Sequence, residues 1–304
     1  MTNLTEDCVR CRQPFKVSIC IPTYNAPEFF RRVMQSIVIQ DYTDFEVIVT
    51  DDSQNDCIRD VLSDFSFAGT LTYIKNSKQL GAPGNWNRGI EIAKGKYIKI
   101  LHHDDWLLTS ESLGFFVDMM EKNPLASFGF SSAEAYDQEH RFKFIHTLPE
   151  SRINDLAIDC NTLFLGNFIG PPSSIIFKNT PGLRFDENLQ WLVDIDFYIQ
   201  LLRLNNFFIS CQDPLVGVTV ESSHQVTRGC ENNKQVELYE HLYLFSKLSH
   251  KRRHFFEHIK TFSQLFKKFS ISSFHELTLL APDVDIPWYI GLLAQIPRRP
   301  LKRA

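Results

Sequence analysis

The chain has 304 residues, 43% hydrophobic and 22% charged, with a formal net charge of −4. This is an ordinary soluble globular composition, enough for one large domain with an appendage. No apolar stretch approaches the length that spans a bilayer, and residues 1–14, with Glu6 and Asp7, do not read as a secretory signal.

Charge is unevenly spread. From Leu244 onward eleven Lys/Arg stand against four Asp/Glu, leaving 21 basic and 32 acidic residues before it. The end Arg298-Arg299-Pro300-Leu301-Lys302-Arg303 suits a peripheral contact with an anionic membrane face. A solvated helical appendage explains the charge equally well. Seven scattered cysteines favour reduced thiols and a cytoplasmic setting. Cys8 and Cys11 form one CxxC, with no second pair to close a zinc site.

In chain order, residues 17–21 (Val-Ser-Ile-Cys-Ile) read as a buried strand stopped by Pro22, with Thr23-Tyr24-Asn25 as the loop at its carboxyl end. Phe30, Val33, Met34 and Ile37 are spaced as a helix face. A second strand, 45–50, runs into Asp51-Asp52-Ser53. Ile58, Val61, Leu62 and Phe65 mark another helix, and 71–74 a third strand. After a loop at 76–84, residues 85–93 look helical, with Gly95 as the cap. The strand 97–101 then ends abruptly in His102-His103-Asp104-Asp105. Strand alternation predicts His102 and Asp104 on one side, His103 and Asp105 on the other.

This β-α repetition predicts an α/β fold with a mostly parallel sheet covered on both faces. Three strand ends carry polar groups, at Thr23/Asn25, Asp51/Asp52 and His102/Asp104. In a parallel sheet they share one edge, where ligands bind. Further strands are expected at 127–132, 142–144, 173–177, 207–210 and 216–220. A rigid loop is expected at 167–172. A helix should open at Asp194 and run to about Leu204, and helices should follow Gly229. Phe255, Ile259, Phe262, Phe266 and Phe269 form a stripe suited to core packing.

The loop Gly81-Ala82-Pro83-Gly84 is not GxGxxG, and neither GxxxxGK[ST] nor GxSxG occurs. What remains is a set of strand-end carboxylates with a candidate cation site, an arrangement that fits a metal-bound diphosphate leaving group.

Residues 17–25 (VSICIPTYN), 45–53 (FEVIVTDDS), 76–95 and 98–105, continued by Phe185-Asp186-Glu187 and Asp194, resemble the successive motifs of family 2 glycosyltransferases with the GT-A fold. Together they cover roughly residues 16–230. The resemblance implies an inverting transferase acting from a nucleotide-sugar, usually a UDP-sugar, on a hydroxyl of a glycan or lipid-linked acceptor. It divides the chain into a flexible tail (1–15), the GT-A domain (16–230) and a helical region with a basic tail (231–304). Pro22, Thr23 and Tyr24 would border the base, with Asn25 also nucleotide-binding, and Asp51 or Asp52 would accept a hydrogen bond from it. Asn76, Gly81 and Arg88 would lie near the ribose and diphosphate, and His103 is counted with the nucleotide-binding residues. Asp104 matches the second carboxylate of the family's DxD motif, which holds Mn²⁺ or Mg²⁺; His102 stands in the first place, and His224 matches a late histidine near the metal. Asp194 matches the catalytic base, with Val193 where relatives commonly have Glu. Asp196 is its rival two residues on, turned away by helical spacing. Trp191 and Ser173 are acceptor-side candidates. The substituted DxD keeps open a non-catalytic nucleotide-sugar-binding scaffold on the same fold. A nucleotidyltransferase would need a triphosphate loop that residues 22–27 lack.

Overall fold

A computed structural model describes residues 15–66, 69–220, 229–248 and 253–296. The N-terminal tail with Cys8 and Cys11, His224 and the basic end at 298–303 lie outside the described residues. The five described cysteines are free thiols.

The first half follows the predicted alternation: β1 (Phe15–Thr23), α1 (Pro27–Val38), β2 (Phe45–Asp51), α2 (Cys57–Ser63), β3 (Thr70–Lys75), α3 (Ala82–Ile92) and β4 (Gly95–Ile100). There follow β5 (Trp106–Leu107), α4 (Ser112–Lys122), β6 (Phe128–Tyr136), β7 (Phe142–His146), α5 (Glu150–Ile158), β8 (Ile175–Lys178), α6 (Val193–Leu204) and β9 (Phe208–Thr219). Helices α7 (Lys234–Lys247), α8 (Phe255–Lys268), α9 (Phe274–Leu280) and α10 (Trp288–Ala294) close the chain.

All these strands join one sheet, in the order β3-β2-β1-β4-β8-β6-β9-β5, with β7 beside β6. β3, β2, β1 and β4 run parallel, and β8 inserts antiparallel between β4 and β6. Strand β2 is buried along its whole length, as expected of a parallel strand covered on both faces. On one face, α1, α2 and α4 bring Phe30, Met34, Ile58 and Phe116 against the sheet. On the other, α3 and α6 share a single core with the C-terminal helices, through Ile90, Phe197, Phe245, Phe262 and Phe266. The phenylalanine stripe of α8 is thus turned inward at Phe262 and Phe266, while Phe255 stays partly exposed.

Three local expectations are corrected. Gly95 does not cap α3; it opens β4, where a Cβ would lie 2.5 Å from the Ser18 nitrogen, so close strand approach selects glycine. The two strands expected at 207–220 are one, β9, whose pairing with β6 slips near Pro214. Proline lacks a ladder donor and is tolerated at such an irregularity. Residues 173–174 belong to a short 3₁₀ turn before β8.

Candidate active site

The carboxyl ends of β1, β2 and β4 share one edge, over which opens a cleft of about 450 Å³. Pro22, Thr23, Tyr24, Asp52, Gly81, His102, His103, Asp104, Trp191 and Asp194 all line it.

At the β1–β2 end the carboxylates are tied down. Asp52 accepts from the Asn76 side chain at 2.6 Å and from the Gly81 backbone N–H at 2.9 Å, which fastens the 76–81 loop to the sheet. Gly81 meets this geometry at φ 77°, a conformation that favours glycine. Asp51 is fully buried behind the wall, accepting from Ser53 N–H at 2.9 Å and the Tyr73 hydroxyl at 2.8 Å. Of the expected nucleotide set, Asp51 and Asn76 therefore support the cleft from behind. Asn25, at φ 47°, donates its N–H to the Ser53 hydroxyl and is not part of the wall. Arg88 lies elsewhere, paired with Glu91 on the surface of α3.

At the end of β4 the chain does not continue as a strand. The Asp105 N–H returns to the His102 carbonyl at 3.0 Å, and this turn replaces strand alternation. His102, Asp104 and Asp105 consequently converge, each with a ligand-type atom within 4.8 Å of the others. Asp105 was expected on the opposite side from His102; the turn brings it in. Burial, reinforced by the charge of Asp104, holds the Asp105 carboxyl well above the usual carboxylate range. The His102 ring packs on Trp86 with centroids 4.6 Å apart, and its Nε2 is buried without a hydrogen-bond partner. Burial lowers its pKa to about 4, so the imidazole is neutral at pH 7, the form that ligates a metal.

Ser173 is also corrected. It is fully buried beneath this corner, its hydroxyl accepting the His102 N–H at 3.0 Å, and it does not line the acceptor side.

Two cations support the corner. Arg32 stacks 3.9 Å over Trp106 and donates to the Asp104 carbonyl and the Thr219 hydroxyl, both at 2.9 Å. Lys99 is wholly buried, donates to the Ser173 carbonyl and sits 4.3 Å from the Phe116 ring centre; burial lowers its pKa to about 7. Sequence reasoning missed both. A lysine inside the apolar run 97–101 was a visible signal, whereas nothing local marked Arg32.

The opposite wall comes from the start of α6. Asp194 faces the cleft, and its Oδ1 is buried without a partner. Burial alone raises its pKa to about 7. Asp196, by contrast, pairs with Lys247 of α7 and accepts from Gln200 at 2.7 Å. Lys247 also bonds Asp186 at 2.8 Å, so this cation joins α7 to the turn before α6. Trp191 is half-buried in the wall. The backbone N–H groups of Gln190, Trp191 and Leu192 all donate to Glu240 of α7, at 2.8, 2.9 and 2.8 Å. Glu240 was missed as well; its sequence signal is a carboxylate among the apolar positions Leu238, Leu242 and Leu244. Phe144, Pro171 and Val218 make the remaining part of the cleft largely apolar, with the His146 imidazole beside them.

The arrangement sets a carboxyl able to exchange a proton near neutrality against a separate cluster suited to a divalent cation. The comparisons agree with a sugar-transfer scaffold. The sequence pattern of glycosyl transferase family 2 matches residues 18–179. The amylovoran biosynthesis glycosyltransferase AmsB of Erwinia amylovora is 27% identical over 220 residues, covering 69% of this chain and 70% of that protein. The UDP-Glc:alpha-D-GlcNAc-diphosphoundecaprenol beta-1,3-glucosyltransferase WfaP of Escherichia coli is 35% identical over 95 residues, 31% of this chain and 38% of that one. The matched regions are 61% and 63% of the length of two further curated relatives. In structure, Staphylococcus aureus TarS (residues 1–349, with UDP-GlcNAc) superposes with a TM-score of 0.61 at 15% identity, covering 84% of this chain and 81% of that one, a likeness of fold. With its family pattern matched over more than half its length and this sheet beneath the cleft, the chain belongs to glycosyl transferase family 2 and has the GT-A fold.

Proposed function

We propose that the chain is an inverting glycosyltransferase that moves a sugar from a UDP-sugar to a hydroxyl of a lipid-linked glycan acceptor. One observation carries this reading: the unpartnered Asp194 oxygen and the His102/Asp104/Asp105 cluster face the same cleft. Thr23, Tyr24, Asp52 and Gly81 form the donor end, where the nucleotide lies. The name of WfaP specifies both a UDP-sugar and a diphosphoundecaprenol acceptor. The largely apolar part of the cleft, with Phe144 on the exposed strand β7, suits an acceptor that carries a lipid. Nucleotide sugars and reduced thiols both fit a cytoplasmic setting.

Asp194 takes the proton of the acceptor hydroxyl as that oxygen bonds to the anomeric carbon. The bond from that carbon to the donor diphosphate breaks, and the nucleoside diphosphate leaves with the electron pair. A single displacement inverts the anomeric centre. A pKa near 7 leaves Asp194 ionised in a useful fraction at neutral pH and basic enough to hold the proton.

His102, Asp104 and Asp105 fit a divalent cation: a neutral imidazole with a buried, unpartnered nitrogen beside two carboxyls. Mn²⁺ or Mg²⁺ held by these residues would supply charge to offset the negative charge gathering on the leaving diphosphate. The nitrogen donor favours Mn²⁺, since Mg²⁺ prefers oxygen ligands.

The test incubates purified protein with UDP-, GDP- and dTDP-sugars, with Mn²⁺, with Mg²⁺ and with neither, together with glycan and lipid-linked acceptors. Release of UDP with an inverted product is expected, strongest with Mn²⁺. Donor binding without transfer in every combination would overturn the reading and favour a scaffold.

A further inference from the structure

Helix α10 contains no charged residue; it reads Trp-Tyr-Ile-Gly-Leu-Leu-Ala. One face is committed to the core through Ile290, Gly291, Leu293 and Ala294. That contact is close: a Cβ on Gly291 would lie 2.7 Å from the Phe274 ring. The opposite face carries Trp288 and Leu292 one turn apart, with Ile296 just beyond the helix end, all exposed. A helix that is apolar all round belongs in an interior or against another apolar phase. Half of α10 has no such cover among the described residues.

Helix α8 extends the same surface. Phe256 is 82% exposed and Trp288 74%, the most open of the large aromatic side chains described. The rings form a connected series: Phe256 to Phe255 at 5.6 Å, Phe255 to Tyr289 at 5.4 Å, and Tyr289 to Trp288 at 5.9 Å between centroids. Two separate helices thus build one aromatic patch.

Charge indicates what covers it. The sequence enters the patch through Lys251-Arg252-Arg253 and leaves it through Arg298-Arg299-Pro300-Leu301-Lys302-Arg303, so both flanking sequences are basic. Among described residues of these stretches, Lys260 is exposed, Arg253 pairs with Asp159 at 3.7 Å, and the acidic Glu257, Asp283 and Asp285 are exposed; the six further Lys/Arg of the flanking sequences outnumber these three acids. Trp and Tyr with apolar side chains, flanked by Lys and Arg, match the boundary of an anionic bilayer. The rings enter the headgroup region and the cations meet lipid phosphates. No described helix is long and apolar enough to cross a membrane.

We propose that Phe255, Phe256, Trp288, Tyr289, Leu292 and Ile296 form a docking surface for an anionic lipid bilayer. Docking here does not depend on the role assigned to Asp194 or on the metal corner.

The test sediments the purified chain with vesicles of phosphatidylcholine alone and of phosphatidylcholine with phosphatidylglycerol. Binding is expected to the anionic vesicles, weakened as salt rises from 0.1 to 1 M and the Debye length shrinks from about 10 to about 3 Å. The double variant Phe256→Ser/Trp288→Ser should partition at least about tenfold less. Its thermal transition should match the parent's, because both side chains are exposed. Failure to pellet with anionic vesicles, or equal pelleting of the double variant, would overturn the proposal. So would a dimer that the double substitution dissociates in the absence of vesicle binding; a second copy would then be the occupant.

Discussion

At the β1–β2 end of the cleft each carboxylate is committed: Asp51 accepts from Ser53 and Tyr73, and Asp52 from Asn76, Leu80 and Gly81. At the opposite wall Asp194 keeps a buried oxygen without a partner. The first arrangement fixes loops so that a ligand meets a preformed surface. The second leaves a carboxyl whose protonation is governed by burial alone, which is what moves it toward neutrality. The order that holds Asp194 in place comes from outside the parallel sheet, from Glu240 and Lys247 of α7. The proposed donor surface thus rests on local strand-end geometry, and the proposed base on long-range docking of the C-terminal helices.

The largest effect that would sharpen this contrast is at Asp194. Asp194→Asn should lower transfer about 10²–10⁴-fold while leaving donor affinity unchanged in a binding titration. Parental transfer should rise with pH through about 7 and the variant should lose that dependence. Stability has the opposite sign. The folded pKa lies above the unfolded 3.8, so the native state binds more protons between those values and loses stability as pH rises through the window. The variant should therefore melt higher than the parent above pH 7 and match it below 3.8. Full transfer by Asp194→Asn would break the assignment.

A smaller effect is expected at Glu240. Glu240→Gln keeps the size of the side chain but removes the charge that accepts three N–H groups. Transfer should fall about tenfold to a hundredfold, seen in kcat and in the acceptor KM, with donor KM unchanged. Glu240→Asp should recover part of the loss. An equal rise in donor KM would mean that Glu240 supports the whole fold and not one wall. The smallest effect should come from the other side of the comparison. Asp52→Ala frees the 76–81 loop and should weaken donor binding about tenfold, with the pH dependence of transfer intact.

The first four strands and three helices were legible because each is a near-continuous apolar run or a clean helical stripe. The site was legible in part. Asp52, Asp104 and Asp194 were visible as polar groups at element ends, and all three line the cleft. Arg88 and Ser173 failed for different reasons. A free-looking arginine found a helical neighbour in Glu91, and a serine near a rigid loop was drawn under the His102–Asp105 turn. Asp105 was misplaced because a strand period was carried one residue into a turn.

By itself the sequence determined the alternation of strands and helices, the common edge of the strand ends and the polar residue types they carry. These follow from local periodicity and from residue type. Tertiary structure decided which carboxylates are tied, which is free and which acids leave the cleft. Hydrogen-bond partners such as Glu240 with Trp191, or Lys247 with Asp196, are separated by about fifty residues and meet only when the C-terminal helices join the core. Burial then sets the protonation of Asp194 and His102, a property of surroundings that no local pattern encodes.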